Sequence, residues 1–287
     1  MKTIFAIEMK QLLNKYIPLA YGHYFNTLAL FSHEKATEKA FRLFCTPRKG
    51  QVLPQQKSYL EKAKDTILEV NDLHIQTYRW QGKGPTLLLM HGWESNTYRW
   101  RSFIPKLENE GFNIVAMDAP AHGYSGSTLF NAPLYAECAQ KVIETYRPKY
   151  IIGHSLGGMT MIYNQYKFNN PDIEKLVSLG APSELSDFLR QYRITLGLNK
   201  KVVKSLENYF DYQFNFRPND FSTSKFAKTL TVPGLLIHDE FDAIASIRCS
   251  EQVHANWKDS TLVKTKGLGH SLHQDKVRNQ IIDFLKS

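Results

Sequence analysis

The sequence YIIGHSLGG at residues 150–158 joins a short apolar run to a glycine-rich turn, which leads into a predicted helix. It carries a Gly-x-Ser-x-Gly pattern in which Gly153 and Gly157 flank Ser155. Between a buried strand and a helix, this pattern predicts a sharp turn that exposes a serine hydroxyl, and the helix start offers free N–H groups. We therefore predict that Ser155 is a catalytic nucleophile. The alternative is a glycine-rich turn without chemistry.

Short apolar runs alternate with longer amphipathic stretches on both sides of this turn. The apolar runs predict strands over 68–71, 73–80, 86–90, 113–117, 150–152, 175–179, 234–237 and 261–264. The amphipathic stretches predict helices over 97–110, 132–146, 156–167, 244–257 and 272–286. This alternation indicates an α/β protein with a mostly parallel central sheet and helices on both faces. Such sheets carry their chemistry at the carboxyl ends of the strands.

The predicted strand at 86–90 is followed by His91-Gly92-Trp93. Acyl transfer passes through an oxyanion that two fixed backbone N–H groups stabilise best. The backbone N–H groups of Trp93 and Leu156 are the candidates for this oxyanion hole, since one follows the strand and the other follows the nucleophile. We expect His91 to be a structural residue that hydrogen-bonds within its loop.

Three motifs together resemble the α/β-hydrolase superfamily. They are His91-Gly92-Trp93, the sequence DAPAHGYS at 118–125, and the Gly-x-Ser-x-Gly turn. The second motif departs from the usual D-x-P-G-H-G-x-S at Ala121. The resemblance covers residues 68–287 and implies a serine-nucleophile, lidded member with esterase-like or lipase-like activity. It also implies the chain order Ser, then Asp or Glu, then His. Dehalogenases and epoxide hydrolases of this superfamily use an aspartate nucleophile, which Ser155 argues against.

The resemblance also directs the choice of the remaining two triad residues. The acid is expected a few residues after the strand at 234–237, where Asp239, Glu240 and Asp242 are candidates, and Asp242 matches the family position. The histidine is expected after the last strand, in the loop that contains His270. His273 is its rival, and we expect it in the first turn of the final helix.

Other histidines have no comparable support. His154, beside the nucleophile, is expected to be a pocket-side or packing residue, and His238 and His254 belong to no motif. No cluster of residues has metal-ligand spacing and no glycine-rich nucleotide loop occurs, so no cofactor and no metal are expected.

The resemblance implies a lid at 183–228, a segment that is rich in aromatic residues, and we assign substrate choice to it. The aromatic residues are Phe188, Tyr192, Tyr209, Phe210, Tyr212, Phe214, Phe216, Phe221 and Phe226. They predict either an apolar pocket for an acyl or alcohol group, or the small core of the lid itself. The expected partner is a small-molecule acyl ester with an apolar portion.

Residues 1–67 form a predicted helical extension in front of the hydrolase domain at 68–287. Residues 1–65 contain eleven Lys and Arg against five Asp and Glu. We interpret this charge as a solvated helical face, with weak contact to an anionic surface as the alternative. Residues 16–33 lack Asp, Glu, Lys and Arg, but they contain Pro18 and Gly22 and are too polar for a transmembrane span. Ser32 is the expected cap of a helix at 33–46.

Composition limits the remaining possibilities. The 287 residues are 43% hydrophobic and 22% charged, which excludes a disordered chain, a collagen-like repeat and a coiled-coil rod. Three distant cysteines form no disulfide framework, so we expect a cytoplasmic location. Because the basic residues concentrate near the start of the chain, no nucleic-acid partner is expected.

The motifs predict a serine hydrolase that cleaves a carboxylic ester through an acyl-enzyme on Ser155. Alternatives that use the same triad are a thioesterase, an acyltransferase or a carbon–carbon bond hydrolase. A non-catalytic protein that binds a small molecule for signalling is the least favoured alternative. No oligomeric state is predicted.

Overall fold

A computed structural model of the chain describes the backbone of residues 2–287 and the side chains of Met9, Leu12 and residues 15–287. This described part divides into two compact units. The first, here called the sheet unit, combines Thr46–Ser183 with Thr223–Ser287. The second, the helical unit, combines the residues up to Cys45 with Glu184–Ser222. The predicted boundaries of the N-terminal extension and of the lid stay predictions.

Eight strands within the described residues form one sheet in the order β1-β2-β4-β3-β5-β6-β7-β8. Their bounds are β1 (Lys64–Val70), β2 (Leu73–Trp80), β3 (Thr86–Met90), β4 (Asn113–Met117), β5 (Tyr150–His154), β6 (Lys175–Leu179), β7 (Gly234–Asp239) and β8 (Ser260–Thr265). β2 pairs antiparallel with β1 and β4, and all other pairs are parallel. The predicted mostly parallel α/β sheet is confirmed.

The helices lie between these strands and before them. Their bounds are α1 (Lys2–Phe31), α2 (His33–Cys45), α3 (Pro54–Leu60), α4 (Ile104–Asn109), α5 (Ala132–Tyr146), α6 (Leu156–Phe168), α7 (Leu185–Leu196), α8 (Lys200–Phe214), α9 (Thr223–Phe226), α10 (Arg248–Asn256) and α11 (Asp275–Lys286). No helix among the described residues is both long enough and apolar enough to cross a membrane.

Both faces of the sheet are buried under apolar side chains. In β3, Leu87 and Leu89 join the apolar cluster on one face, while Leu88 and Met90 join the cluster on the other. All four side chains are fully buried. Successive side chains of a strand point to opposite faces, so a continuous apolar run is what a strand covered on both sides requires.

The predicted hairpin before β3 is present, with a longer first strand. Asn71 and Asp72 both have positive φ angles, 49° and 63°, as a two-residue hairpin turn requires. β1 begins at Lys64, four residues before the predicted start at 68. Its first four residues are exposed and the first three are polar, so the apolar run in the sequence begins only at Ile67.

The predicted helix at 97–110 is wrong. A 3₁₀ turn at Thr97–Trp100 and the short helix α4 take its place. The Asn96 side chain accepts the Tyr98 N–H at 2.9 Å and the Asp118 carboxylate accepts the Thr97 N–H at 2.9 Å, which fixes the first turn separately. Pro105 has no N–H and stands near the start of α4, where that loss is tolerated.

The two helices after β7 and β8 begin later than predicted. α10 starts at Arg248 rather than 244, because the Asp242 carboxylate accepts the N–H groups of Ile244 and Ala245 and holds this segment in a turn. α11 starts at Asp275 rather than 272. His273 therefore lies in the loop before the helix and not in its first turn.

The helical unit contains an aromatic core of its own. Phe41 of α2 contacts Tyr209, Phe210 and Phe214 of α8 at ring distances of 4.9 to 6.1 Å, and Phe44 contacts Tyr192 of α7 at 5.1 Å. These contacts favour the small-core interpretation of the predicted lid's aromatic residues. Ser32 caps α2 as predicted, since its hydroxyl accepts the Lys35 N–H at 3.3 Å.

Residues 46–53 contain no helix and belong to the sheet unit. Gly50 accepts the Gly123 N–H at 2.9 Å through its carbonyl, and the Asn96 side chain donates to the same carbonyl at 3.2 Å. The Gln51 side chain donates to the Ala121 carbonyl at 3.1 Å. This segment is thus tied to the loops that follow β3 and β4.

Candidate active site

Ser155 lies between β5 and α6 with φ 54° and ψ −123°. A non-glycine residue in this region carries strain of about 1–3 kcal/mol, which the surrounding structure must offset. The Ser155 N–H donates to the Leu179 carbonyl at 2.8 Å, which fixes the turn to β6. At Gly157, a Cβ atom would overlap the Met90 carbonyl oxygen, so only glycine lets α6 approach β3 this closely. The predicted serine turn is therefore present.

His270 links Ser155 to Asp242 by two hydrogen bonds. Its Nε2 lies 3.0 Å from the Ser155 Oγ, and its Nδ1 lies 2.7 Å from Oδ2 of Asp242. A carboxylate only accepts, so the Nδ1 carries the hydrogen and Nε2 is free to accept the serine proton. The Asp242 side chain is fully buried, whereas that of His270 is 20% exposed. The structure brings the three predicted side chains together in the order that acyl transfer requires.

Asp242 is held by its own loop. Its Oδ1 accepts the N–H groups of Ile244 at 2.8 Å and Ala245 at 3.1 Å. These bonds fix the carboxylate and leave Oδ2 directed at His270. The same two bonds that delay the start of α10 therefore orient the candidate acid.

His238, which belongs to no sequence motif, also contacts the candidate acid. Its Nε2 lies 3.3 Å from Oδ2 of Asp242 and 2.9 Å from the Ala245 carbonyl, while its Nδ1 lies 2.7 Å from the Ser250 hydroxyl. A carbonyl accepts only, so Nε2 carries the hydrogen and Nδ1 accepts from the serine. Burial lowers the pKa of His238, which keeps the ring neutral. No sequence motif marks this contact, because a histidine inside a strand resembles an ordinary core residue.

The other two acid candidates have different surroundings. Asp239 is fully buried and accepts hydrogen bonds from the Thr265 hydroxyl, the Leu268 N–H and the Phe241 N–H at 2.8 to 3.0 Å. It therefore joins the end of β7 to the loop that carries His270. Burial raises the pKa of Asp239, but these hydrogen bonds together outweigh burial and hold the pKa below its usual value. Glu240 is exposed and pairs with Lys266 at 3.2 Å.

The two predicted oxyanion donors are unpaired. Neither the Trp93 N–H nor the Leu156 N–H donates a hydrogen bond to any residue that the structure describes. A Cβ atom on Gly92 would lie 2.8 Å from the Ser155 Cβ, so the loop after β3 closely approaches the serine. Leu156 is the first residue of α6 and belongs to the free N–H groups of that helix start. These N–H groups are available to a ligand.

His91 is a structural residue, as expected. Its Nδ1 lies 2.8 Å from the Gly92 carbonyl, and its Nε2 accepts the Ala119 N–H at 2.9 Å. Burial, with the nearby His122, lowers the pKa of His91 to about 3. A neutral His91 therefore joins the loops after β3 and β4.

His154 lies beside the candidate base. Its Nε2 donates to the His270 carbonyl at 2.9 Å, and the two rings lie 4.9 Å apart. Burial, followed by the charge of Arg99, lowers the pKa of His154 well below its usual value. A neutral His154 adds no positive charge next to His270, which matches the expected packing role. His254 contacts the Ser260 hydroxyl at 2.8 Å.

Comparison with known proteins gives one family and several relatives. A family model described as alpha/beta hydrolase fold matches residues 85–230. Over 113 residues the chain is 40% identical to a pimeloyl-[acyl-carrier protein] methyl ester esterase of Vibrio vulnificus, a match that covers 38% of this chain and 41% of that enzyme. The chain thus spans about two-fifths of the length of the curated relatives that it matches at this level.

Two further matches extend over more of the chain. The AB hydrolase superfamily protein YisY of Bacillus subtilis is 21% identical and matches over 80% of this chain and 99% of its own length. The solved structure of an esterase from Exiguobacterium antarcticum superposes with a TM-score of 0.62, covering 78% of this chain and 100% of that one at 17% identity. At this identity the superposition shows the fold alone.

Proposed function

The chain belongs to the alpha/beta hydrolase fold family, and from this premise we propose that it is a serine hydrolase that cleaves carboxylic esters. The observation that carries the proposal is the hydrogen-bonded path from Ser155 through His270 to Asp242. The esterase names of matched relatives support the ester class. We further propose that Ser155 forms an acyl-enzyme.

In this mechanism, His270 Nε2 takes the hydroxyl proton of Ser155 as its Oγ attacks the acyl carbonyl. The negative oxygen of the tetrahedral intermediate accepts hydrogen bonds from the N–H groups of Trp93 and Leu156, which are free of protein partners among the described residues. His270 then gives its proton to the alcohol oxygen that leaves. Asp242 stabilises the imidazolium through the 2.7 Å contact to Nδ1.

Deacylation repeats these steps with water. His270 removes a proton from a water molecule, which attacks the acyl carbonyl of the Ser155 ester. The intermediate collapses with return of the proton to Oγ, so the carboxylic acid leaves and the serine is restored. His154 is neutral, so it does not repel the positive charge that His270 gains in both steps.

The proposal is tested with a panel of p-nitrophenyl esters and matched thioesters of graded acyl length. We expect ester hydrolysis that Ser155→Ala lowers by at least about 10³-fold. The matched control is Ser58→Ala, since Ser58 is exposed on α3 and distant in sequence from every site residue. Undiminished hydrolysis by Ser155→Ala contradicts the mechanism. Thioester cleavage without ester cleavage contradicts the ester class.

A further inference from the structure

A cavity of about 600 Å³ in the sheet unit has a strongly basic lining. Its charged or titratable lining residues are Arg48, Lys49, Arg99, Arg101, His273 and Glu94. They come from the irregular segment before α3, from the loop after β3 and from the loop after β8. Four permanent cations thus face one carboxylate.

The positive charges of this cavity are not neutralised by ion pairs. Among the side chains that the structure describes, no carboxylate lies within 4.0 Å of the cationic groups of Arg48, Lys49, Arg99 or Arg101. The carboxylate of Glu94 instead accepts the backbone N–H of Arg48 at 3.0 Å. The cavity therefore keeps an excess of positive charge that attracts an anion.

Two buried nitrogen atoms of the lining also lack a partner. Arg99 Nε and His273 Nε2 are shielded from solvent and form no hydrogen bond with any described residue. Arg99 is held in place because its Nη2 donates to the Ser271 carbonyl at 3.0 Å and its guanidinium lies over the Trp100 ring at 4.7 Å. The two nitrogen atoms have almost no accessible surface, so an oxyanion in the cavity would pair with the charge of the Arg99 guanidinium rather than bond to these atoms.

The pKa values of these two groups reflect burial and the surrounding positive charge. Burial, with the charge of Arg101, lowers the pKa of Arg99 to about 9, so the guanidinium remains charged at neutral pH. Burial and the charges of Arg99, Arg101 and Arg278 lower the pKa of His273 to about 4. An anion in the cavity would raise both pKa values.

The cavity lies along the two loops that carry the candidate site. Glu94 directly follows Trp93, one of the two oxyanion donors, and the Ser271 carbonyl that binds Arg99 belongs to the residue after His270. The cavity and the candidate site thus share the loops that follow β3 and β8.

We propose that this basic cavity binds a carboxylate or phosphate group carried by the substrate, distant from the bond that is cleaved. The inference rests on the proposed function and narrows its substrate class to anionic esters. A volume of about 600 Å³ holds such a group together with part of its chain. The planar guanidinium groups of Arg99 and Arg101 match the geometry of both oxyanions.

Pairs of substrates that differ only in charge test the proposal. Monomethyl adipate is compared with methyl hexanoate for the carboxylate, and the phosphate monoester of 4-hydroxybutyl butyrate is compared with 4-hydroxybutyl butyrate for the phosphate. We expect kcat/KM to favour the anionic member of at least one pair by about tenfold or more. Arg101→Gln should bring the ratio of the two kcat/KM values toward one, mainly by raising KM for the anionic member. Lys141→Gln, which removes a charge from α5 outside the cavity, should keep it.

A direct binding measurement separates this inference from the proposed function. Inorganic phosphate and adipate are titrated into Ser155→Ala while the imidazole signals of His273 are followed by NMR. We expect a saturable shift, with an affinity that Arg101→Gln weakens about tenfold. Binding without any ester turnover would reject the proposed function and keep the anion site. Ester turnover with equal kcat/KM within both pairs and no His273 shift would overturn the anion site alone.

Discussion

The Nε2 atom of His238 lies 3.3 Å from the same Asp242 oxygen that contacts His270 Nδ1 at 2.7 Å. The side chains of His238 and Asp242 are both fully buried. The carboxylate is thus restrained by a neutral imidazole as well as by two backbone N–H groups of its loop. We therefore consider His238 a positioning residue for the candidate acid.

His238→Ala is expected to lower kcat by about 10- to 100-fold with little change in KM, because a displaced Asp242 misaligns His270. His238→Ala should also shift the acidic limb of the pH profile of kcat/KM. His238→Gln keeps a hydrogen-bond donor at this position and should recover part of kcat. The control is His254→Ala, since His254 also contacts a serine hydroxyl, at 2.8 Å, but does not contact Asp242. Equal losses in His238→Ala and His254→Ala would reject the positioning role.

Asp242→Asn is expected to keep the fold and to lower kcat by up to about 10⁴-fold, because the amide favours the wrong imidazole tautomer. Glu240→Gln is the matched control, since Glu240 is exposed two residues away and pairs only with the exposed Lys266 among the described residues. Steady-state kinetics on one soluble ester compares the two. A crippled Glu240→Gln beside an active Asp242→Asn would mean that the acid is misassigned.

Asp239→Asn is expected to lower the melting temperature on the order of 5 °C, because a buried amide cannot accept all the hydrogen bonds that Asp239 receives. The pKa of Asp239 is below its usual value in the folded chain, so its stabilisation is present above about pH 4 and is lost as the pH falls. Thermal melts of both proteins from pH 7 to pH 3 measure this. A difference in melting temperature between the two proteins that stays constant over that range would contradict a stabilising role for the charged Asp239 carboxylate.

Acid should also destabilise the protein through its buried neutral histidines. The pKa of His91 falls to about 3 in the folded chain, against about 6.5 when unfolded, so its stabilisation is complete above pH 6.5 and declines below it. Each such histidine adds a slope of about 1.4 kcal/mol per pH unit between these values. His91→Gln keeps an acceptor for the Ala119 N–H. In this variant the free energy of unfolding, measured with urea, should depend less on pH between pH 6 and pH 4. An unchanged slope of unfolding free energy against pH in His91→Gln would contradict this role of His91.

Much of the fold could be predicted from sequence because its signals are local. Continuous apolar runs such as β3 are buried on both faces, and Gly157 is required where α6 approaches β3. Elements whose bounds depend on side-chain hydrogen bonds could not be predicted in this way. The start of α10 is set by Asp242 binding Ile244 and Ala245, which leaves no mark in the hydrophobic pattern.

The candidate site shows the same division. Ser155 is predicted from its motif, and Asp242 and His270 from the positions that the family resemblance implies; the structure joins the three by hydrogen bonds. His238 and Asp239 support the site from the end of β7, yet neither position carries a motif. Their contacts depend on which loops the parallel strands bring together, and this is a property of the folded sheet.

Site-specific labelling shows whether Ser155 is an activated nucleophile. The protein is treated with a fluorophosphonate probe, digested, and the modified residue is located by mass spectrometry, with Ser155→Ala and Ser58→Ala treated in parallel. One adduct is expected on Ser155 in the natural chain and in Ser58→Ala, and none in Ser155→Ala. An adduct on another serine that persists in Ser155→Ala, with ester hydrolysis intact, would contradict it.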